Sequence, residues 1–178
     1  SMFIGGVPLL MSASAMGACP IPVGAEVGAE RLLQIGQIFK PRALFCTPSF
    51  ADYLIEAAPK AIGKPVSSLG VEIILSGGEP GAGLPEVRRR IENAWGAKLF
   101  DMGGAGGGSC GWHDYQGMHN VSGDSSIFEL VAPATDEPIA LEDGARGESC
   151  LTTIVGDGSV GGIRTSLGDI MEVTMSAC

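Results

Sequence analysis

The alternation of strand-like and helix-like segments over the first hundred residues constrains the fold most. Short apolar runs that are typical of buried strands alternate with amphipathic segments that have the 3.6-residue period of helices. The predicted strands are residues 42–46, 71–75 and 97–102. The predicted helices are residues 8–16, 26–40, 47 to 58 or 61, and 84–95. This order predicts right-handed βαβ units around a parallel sheet, and therefore an α/β fold.

Local signals mark the ends of these helices. Pro41 stops the second helix, because proline cannot continue the hydrogen-bonding pattern of a helix. Thr47 followed by Pro48 is a typical helix start, with a hydroxyl cap and a proline in the first turn. Gly96 is placed where a helix commonly ends.

The pattern changes after residue 108. Residues 126–131, 148–154 and 170–175 are predicted strands, and residues 142–147 are a predicted turn. Helical periodicity is absent from this part of the sequence. We therefore predict two subdomains, an α/β subdomain over residues 1–108 and a small β-rich, barrel-like subdomain over residues 109–178.

Charge and composition exclude several classes of protein. The 20 acidic residues against 11 basic ones give a net charge of −9, which argues against a nucleic-acid partner. The one basic cluster, Arg88-Arg89-Arg90, is predicted to be a solvated helix face. No apolar run is long enough to span a membrane. Five cysteines without a compact framework favour a reducing cytoplasm. A homodimer is one oligomeric state that the sequence leaves open.

The loops after the predicted parallel strands are the first place to expect a ligand, because α/β sheets bind ligands at the carboxyl ends of their strands. These loops are residues 47–49, residues 76–80 and the glycine-rich run 103–108. The glycine-rich run does not match the dinucleotide fingerprint, since no helix follows to hold a pyrophosphate. The nucleophile-elbow pattern around Ser109 also lacks the helix that it needs.

A zinc site is a separate hypothesis. Cys110, His113 and His119 lie within ten residues of each other, and thiolate with imidazole suits zinc. Cys150 or the terminal Cys178 is the predicted fourth ligand. The alternative is that the histidines are polar loop residues and the cysteine is buried.

Several segments resemble one enzyme family. Gly78-Glu79-Pro80 is similar to the "GAEP" motif of the phenylacetate–coenzyme A ligase family, a branch of the adenylate-forming enzymes. The similarity extends along nearly the whole chain, and its motifs occur in the family's order. The other matching segments are Cys46-Thr47-Pro48-Ser49-Phe50, Gly117-Met118-His119, Glu148 with Leu151-Thr152-Thr153, and Gly168-Asp169-Ile170.

The resemblance implies an AMP-forming acyl-CoA ligase that activates an aryl acid such as phenylacetate. In such a ligase ATP and a carboxylate give an acyl-adenylate, and coenzyme A then takes the acyl group; ATP, magnesium and coenzyme A are the implied cofactors. Asp169 would bind the ribose hydroxyls, because a carboxylate accepts both hydroxyl protons. The aromatic acyl group would lie near Tyr53 or the glycine-rich loop. The residues that the resemblance assigns to the nucleotide and acyl pocket are Gly77, Gly78, Glu79, Pro80 and Asp101.

Three departures from the family pattern bear on activity. Gly103 and Gly107 stand where the family has a tyrosine that stacks on adenine and a glutamate that holds magnesium. Arg164 is retained, but Ser166 stands in place of a second arginine. The chain also lacks the family's phosphate-binding loop and C-terminal domain, so we expect a fragment of the N-terminal domain that is inactive by itself. The alternative is a catalytically degenerate, zinc-stabilised ligand-binding domain.

Overall fold

The computed structural model describes residues 6–103, 109–111, 118–120, 123–155 and 162–175. Helices fill much of the first hundred residues, and strands make up most of the regular structure that follows. The helices are α1 (Val7–Ala15), α2 (Ala29–Phe39), α3 (Pro48–Ile62) and α4 (Pro85–Trp95). The strands are β1 (Ala43–Cys46), β2 (Ile73–Gly77), β3 (Lys98–Gly103), β4 (Ser109–Gly111), β5 (His119–Asn120), β6 (Ser126–Val131), β7 (Pro138–Ile139), β8 (Arg146–Thr153) and β9 (Thr165–Glu172).

These strands form two separate sheets. The first has the order β1-β2-β3-β4-β5, in which β1, β2 and β3 are parallel and β4 and β5 are antiparallel additions. The second sheet has the order β7-β6-β8-β9 and is antiparallel throughout. The predicted α/β class, with a parallel sheet followed by a β-rich part, is confirmed.

Most element boundaries agree closely with the prediction, and several differ by two residues or more. The helix predicted from residue 26 begins at Ala29, because Gly28 adopts a positive φ of 82° after a short 3-10 turn. The strand predicted at residues 71–75 is shifted to Ile73–Gly77. The last predicted strand begins at Thr165 instead of residue 170.

The chain divides into two compact units that are not contiguous in sequence. One unit consists of Ser1–Ile74 with Arg89–Lys98, and the other of Leu75–Arg88 with Leu99–Cys178. The predicted boundary after residue 108 stays a prediction.

The core of the first unit is built by α2, α3, α4 and the residues between them. Leu33, Leu54 and Ile91 are fully buried, and Trp95 is nearly so. The Trp95 indole donates a hydrogen bond of 3.1 Å to the carbonyl of Ala51, which satisfies the polar edge of a buried ring. The predicted cap is confirmed, since the Thr47 hydroxyl accepts from the Phe50 amide at 3.3 Å.

The core of the second unit includes the paired strands β6 and β8. Leu130, Val131 and Leu151 are buried, and six residues of β6 pair in register with six of β8. Gly147 allows this close packing, because a Cβ there would lie 2.7 Å from the carbonyl of Val131. The tight spacing explains why a glycine interrupts an otherwise regular strand.

Gly77 and Gly36 form a matched pair for a stability test. A Cβ at Gly77 would clash with the backbone carbonyl of Met102, whereas a Cβ at Gly36 would make an ordinary contact of 3.5 Å with Leu69. We expect Gly77→Ala to lower the free energy of unfolding by about 1–3 kcal/mol, since backbone must shift to admit the methyl group. Gly36→Ala, in a helix, is expected to raise it by up to about 1 kcal/mol. Urea unfolding measures both; equal effects would contradict the close approach of β2 and β3.

Candidate functional site

The residues predicted for the nucleotide pocket follow strand β2 directly. Gly77 is the last residue of β2, and Gly78 has a φ of +87°, a conformation that glycine adopts without strain. The chain then turns through Glu79 and Pro80, where the Glu79 carbonyl accepts from the Gly81 amide at 3.0 Å. The segment therefore forms a tight turn at the carboxyl end of a parallel strand, the position at which such sheets bind ligands.

The end of β3 lies beside this turn. The absent side chain of Gly77 lets the backbone of Met102 approach closely, so the carboxyl ends of β2 and β3 are adjacent. Asp101 precedes Met102 on β3, and its side chain is 9% exposed. The structure thus brings the predicted loop at residues 76–80 and Asp101 to neighbouring strand ends.

Burial and the neighbouring Arg88 have opposite effects on the pKa of Asp101. Burial raises the pKa of Asp101 above its ordinary value, and the positive charge of Arg88 opposes that shift. Arg88 is 7% exposed, and its Nη2 donates a hydrogen bond of 2.5 Å to the carbonyl of Leu99. The prediction that Arg88-Arg89-Arg90 is a solvated face is therefore wrong for Arg88, which turns inward and binds the backbone of β3.

Asp169, the predicted ribose ligand, lies on strand β9 of the second sheet. Its side chain is exposed, so the carboxylate is accessible to a ligand. The pairing of β9 with β8 is irregular between Glu148 and Cys150, opposite the segment that carries Asp169. Asp169 and residues 77–80 belong to the same unit of the chain.

Met118 was not predicted as part of the site. A Cβ at Gly103 would lie 2.5 Å from the Cε atom of Met118 and 3.0 Å from its sulphur. The thioether therefore occupies the space into which a side chain at residue 103 would project. The signal available in the sequence was the Gly117-Met118-His119 segment, but nothing in it indicates a contact with β3.

The predicted zinc ligands are brought together only in part. Cys110 and His119 are directly opposite each other in the β4–β5 ladder, and His113 lies outside the described residues. Cys150 is 5% exposed on β8 of the other sheet, where burial above all raises the pKa of its thiol. The described part of the chain contains no group of three or more His, Cys, Asp or Glu side chains arranged to hold a metal. The zinc hypothesis therefore gains no support.

Two further features bear on the predicted chemistry. Ser109 begins β4, which runs antiparallel to β3, so it does not lie on the strand-to-helix turn that a nucleophile elbow requires. Tyr53 is exposed on α3 of the first unit, with its ring centroid 6.2 Å from that of Phe50.

Within the described ranges, no helix is both long and apolar enough to cross a membrane.

Comparison with known sequences identifies relatives along nearly the whole chain. The phenylacetate–coenzyme A ligase of Thermus thermophilus is 30% identical over an alignment of 183 positions, which covers 99% of this chain and 39% of the relative. The enzyme of the same name from Escherichia coli is 27% identical and aligns with 86% of this chain and 35% of its own length. The chain therefore spans less than two fifths of these relatives. No protein-family model matches it.

Comparison of structures gives the same result. A crystal structure of 2-hydroxyisobutyryl-CoA ligase, in complex with 2-HIB-AMP, matches 98% of this chain with a TM-score of 0.80 and 28% identity, over 37% of that enzyme. A benzoate CoA ligase from Burkholderia xenovorans shares the fold, with a TM-score of 0.58 and 18% identity. The resemblance to phenylacetate–coenzyme A ligases that the motifs indicated is confirmed.

Asp101 predicts a pH dependence of stability. Because its pKa is raised in the folded protein, the carboxyl favours folding below the ordinary aspartate pKa of about 4. That contribution is lost as the pH rises through the raised pKa. We expect the Tm of Asp101→Asn, relative to the unmodified protein, to increase across this interval.

Thermal unfolding over a pH series measures the effect, with Asp124→Asn as the matched control. Asp124 is exposed in the turn before β6, so its substitution should leave the profile unchanged. A Tm difference for Asp101→Asn that is constant with pH would contradict the influence of burial on this carboxyl.

The contact between Gly103 and Met118 predicts non-additive substitutions. Gly103→Ala forces the flexible thioether to move, and we expect a loss of about 1 kcal/mol in the free energy of unfolding. Adding Met118→Ala removes the clash, so the double variant should lose less than the sum of the single losses. Denaturant unfolding of the four proteins tests this; strict additivity would show that the two residues do not touch.

Proposed function

We propose that this chain forms part of an AMP-forming acyl-CoA ligase that activates an aryl acid such as phenylacetate. One observation carries the proposal: sequence and fold match such ligases along nearly the whole chain, with a TM-score of 0.80 to an enzyme crystallised with an acyl-adenylate. The turn at the end of β2 and the exposed Asp169 support it, since the resemblance assigns ligand contacts to both and both have a form that is open to a ligand.

The proposed reaction has two steps. A carboxylate oxygen of the acid attacks the α-phosphorus of ATP, and the bond to the pyrophosphate leaving group breaks. The thiol of coenzyme A then adds to the acyl carbonyl, loses its proton, and AMP leaves with the electrons of the acyl–oxygen bond. Activation is needed because a free carboxylate is a poor electrophile, whereas an acyl-adenylate carries a good leaving group.

The residues of this chain would bind and orient the nucleotide. Asp169 would accept hydrogen bonds from both ribose hydroxyls, and such charge-assisted bonds are stronger than neutral ones. Gly78, which has a φ of +87° and no side chain, would let the base and the acyl group approach the backbone, and Gly77 would contribute by admitting the Met102 carbonyl beside the pocket. Arg88 would fix β3 through the Leu99 carbonyl, close to Asp101, which the resemblance assigns to the pocket.

Magnesium would be bound with the phosphates of ATP, and it prefers oxygen ligands. The described residues hold no cluster of three carboxylate or imidazole groups, and Gly107, which replaces the family's glutamate, lies outside them.

Carboxylate-dependent ATP–pyrophosphate exchange tests the proposal. The measurement uses the protein that contains this chain, with phenylacetate, benzoate and 2-hydroxyisobutyrate as separate substrates. Exchange with the two aryl acids supports the proposal, and exchange with 2-hydroxyisobutyrate alone would shift the substrate class to small hydroxy acids. No exchange with any acid would favour the degenerate binding domain.

Asp169→Asn gives the specific prediction for the nucleotide. Loss of the negative charge weakens hydrogen bonds worth about 1.5–3 kcal/mol each, so the KM for ATP should rise at least tenfold. The KM for the acid should change little, because Asp169 is assigned to the ribose. Asp124→Asn, an exposed aspartate in a turn, is the matched control. An unchanged KM for ATP would remove Asp169 from the nucleotide site.

A further inference from the structure

We infer that Glu148, Ser149 and Ser166 are positioning residues that hold Asp169 in place for the ribose. They do so by fixing a bulge in β9 from two sides. The inference rests on the proposed function, in which Asp169 binds the ribose hydroxyls. It adds three side chains that would not contact the nucleotide themselves.

The pairing of β8 with β9 contains the bulge. Glu148 is opposite Ile170 and Cys150 is opposite Ser166, so two steps along β8 correspond to four steps along β9. The additional backbone lies between Ser166 and Ile170, and it carries Asp169. Bulges interrupt the ladder and redirect side chains, and they are common beside functional sites.

Ser166 holds the first side of this bulge. Its hydroxyl accepts a hydrogen bond of 3.1 Å from the amide of Gly168, and it donates a hydrogen bond to the Glu148 carboxylate. Gly168 has a φ of +75°, which lets the chain turn back at this point. The Glu148 carboxylate thereby orients the Ser166 hydroxyl so that its lone pair faces the Gly168 amide.

Ser149 holds the other side. It is fully buried, and its hydroxyl donates a hydrogen bond of 3.2 Å to the carbonyl of Asp169. The segment from the Gly168 amide to the Asp169 carbonyl is therefore fixed at both ends by side-chain hydroxyls. Removing either hydroxyl releases one end of the segment and leaves the other in place.

This arrangement matters because the Asp169 side chain is exposed and is not held by packing. The orientation of its carboxylate therefore depends on the backbone conformation at residue 169. Two adjacent ribose hydroxyls accept only a narrow range of carboxylate orientations, and a preorganised acceptor avoids the entropy cost of ordering on binding. A mobile bulge would lower affinity for the ribose without removing any group that touches it.

The experiment compares binding of AMP with binding of 2′,3′-dideoxy-AMP, which lacks both ribose hydroxyls. Calorimetry on the protein that contains this chain measures the Kd for each. We expect Ser166→Ala to raise the Kd for AMP about tenfold, the equivalent of one good hydrogen bond. The Kd for the dideoxy nucleotide should not change. Ser166→Thr, which keeps the hydroxyl, should restore AMP binding.

Ser68→Ala is the matched control. Ser68 is half-buried in the first unit, and its substitution by Ala removes one hydroxyl-to-carbonyl hydrogen bond of 2.7 Å, to Pro65. Ser68→Ala should leave the Kd for AMP and the Kd for its dideoxy analogue unchanged. Combining Ser166→Ala with Asp169→Ala should weaken AMP binding no more than Asp169→Ala alone, because the serine acts only through the aspartate. Equal losses for AMP and its dideoxy analogue would overturn the positioning role.

Hydrogen exchange at the Gly168 amide separates failure of this inference from failure of the proposed function. Faster exchange in Ser166→Ala than in Ser68→Ala supports the hydroxyl as the group that holds the bulge, and unchanged exchange overturns it. If exchange is faster but the unmodified protein does not distinguish AMP from its dideoxy analogue, then the ribose assignment of Asp169 has failed, and with it the positioning role.

Discussion

The close approach of β2 to β3 at Gly77 is the constraint on which the candidate site depends. A side chain at this position would meet the carbonyl of Met102, so the two strand ends lie side by side only because residue 77 has none. This contact places the turn at Gly78–Pro80 next to Asp101. Arg88 reinforces it from α4 by donating to the carbonyl of Leu99, which holds the helix against the same strand. Gly77 and the buried guanidinium of Arg88 thus position the carboxyl ends of β2 and β3.

The sequence predicted those features that depend on local chemistry. The Thr47–Pro48 start of α3 and the bounds of β6 followed from side-chain capping and from an isolated apolar run between turn signals. The early start of β9 was missed, because the bulge before Ile170 breaks the regular alternation by which a strand is recognised. The two-residue strand β7 is too short to give a periodic signal.

Predictions about the site failed where tertiary contacts decide the outcome. Three consecutive arginines suggest a solvated face, yet Arg88 is buried. Successive residues of a helix point in directions about 100° apart, so three in a row cannot all face the solvent when one side of the helix packs on the sheet. Met118 contacts Gly103 across fifteen positions of sequence, and no local pattern encodes such a contact. Residue 103 is glycine where the family that the sequence resembles has a tyrosine, and the Met118 thioether lies in the space that a side chain there would enter. The soft, polarisable sulphur suits such an irregular gap.

The division of the chain into units has a consequence for synthesis. The first unit includes residues 89–98, which are separated in sequence from its other residues by residues 75–88 of the second unit. Residues 89–98 contain Ile91 and Trp95, which belong to the core of the first unit. A growing polypeptide therefore cannot complete this core from residues 1–74 before residues 89–98 have been added. Until Trp95 has emerged from the ribosome, the carbonyl of Ala51 lacks its indole donor and the apolar faces of α2 and α3 stay partly uncovered. The nascent protein is thus exposed to chaperones and proteases for longer than a contiguous unit of the same size would be.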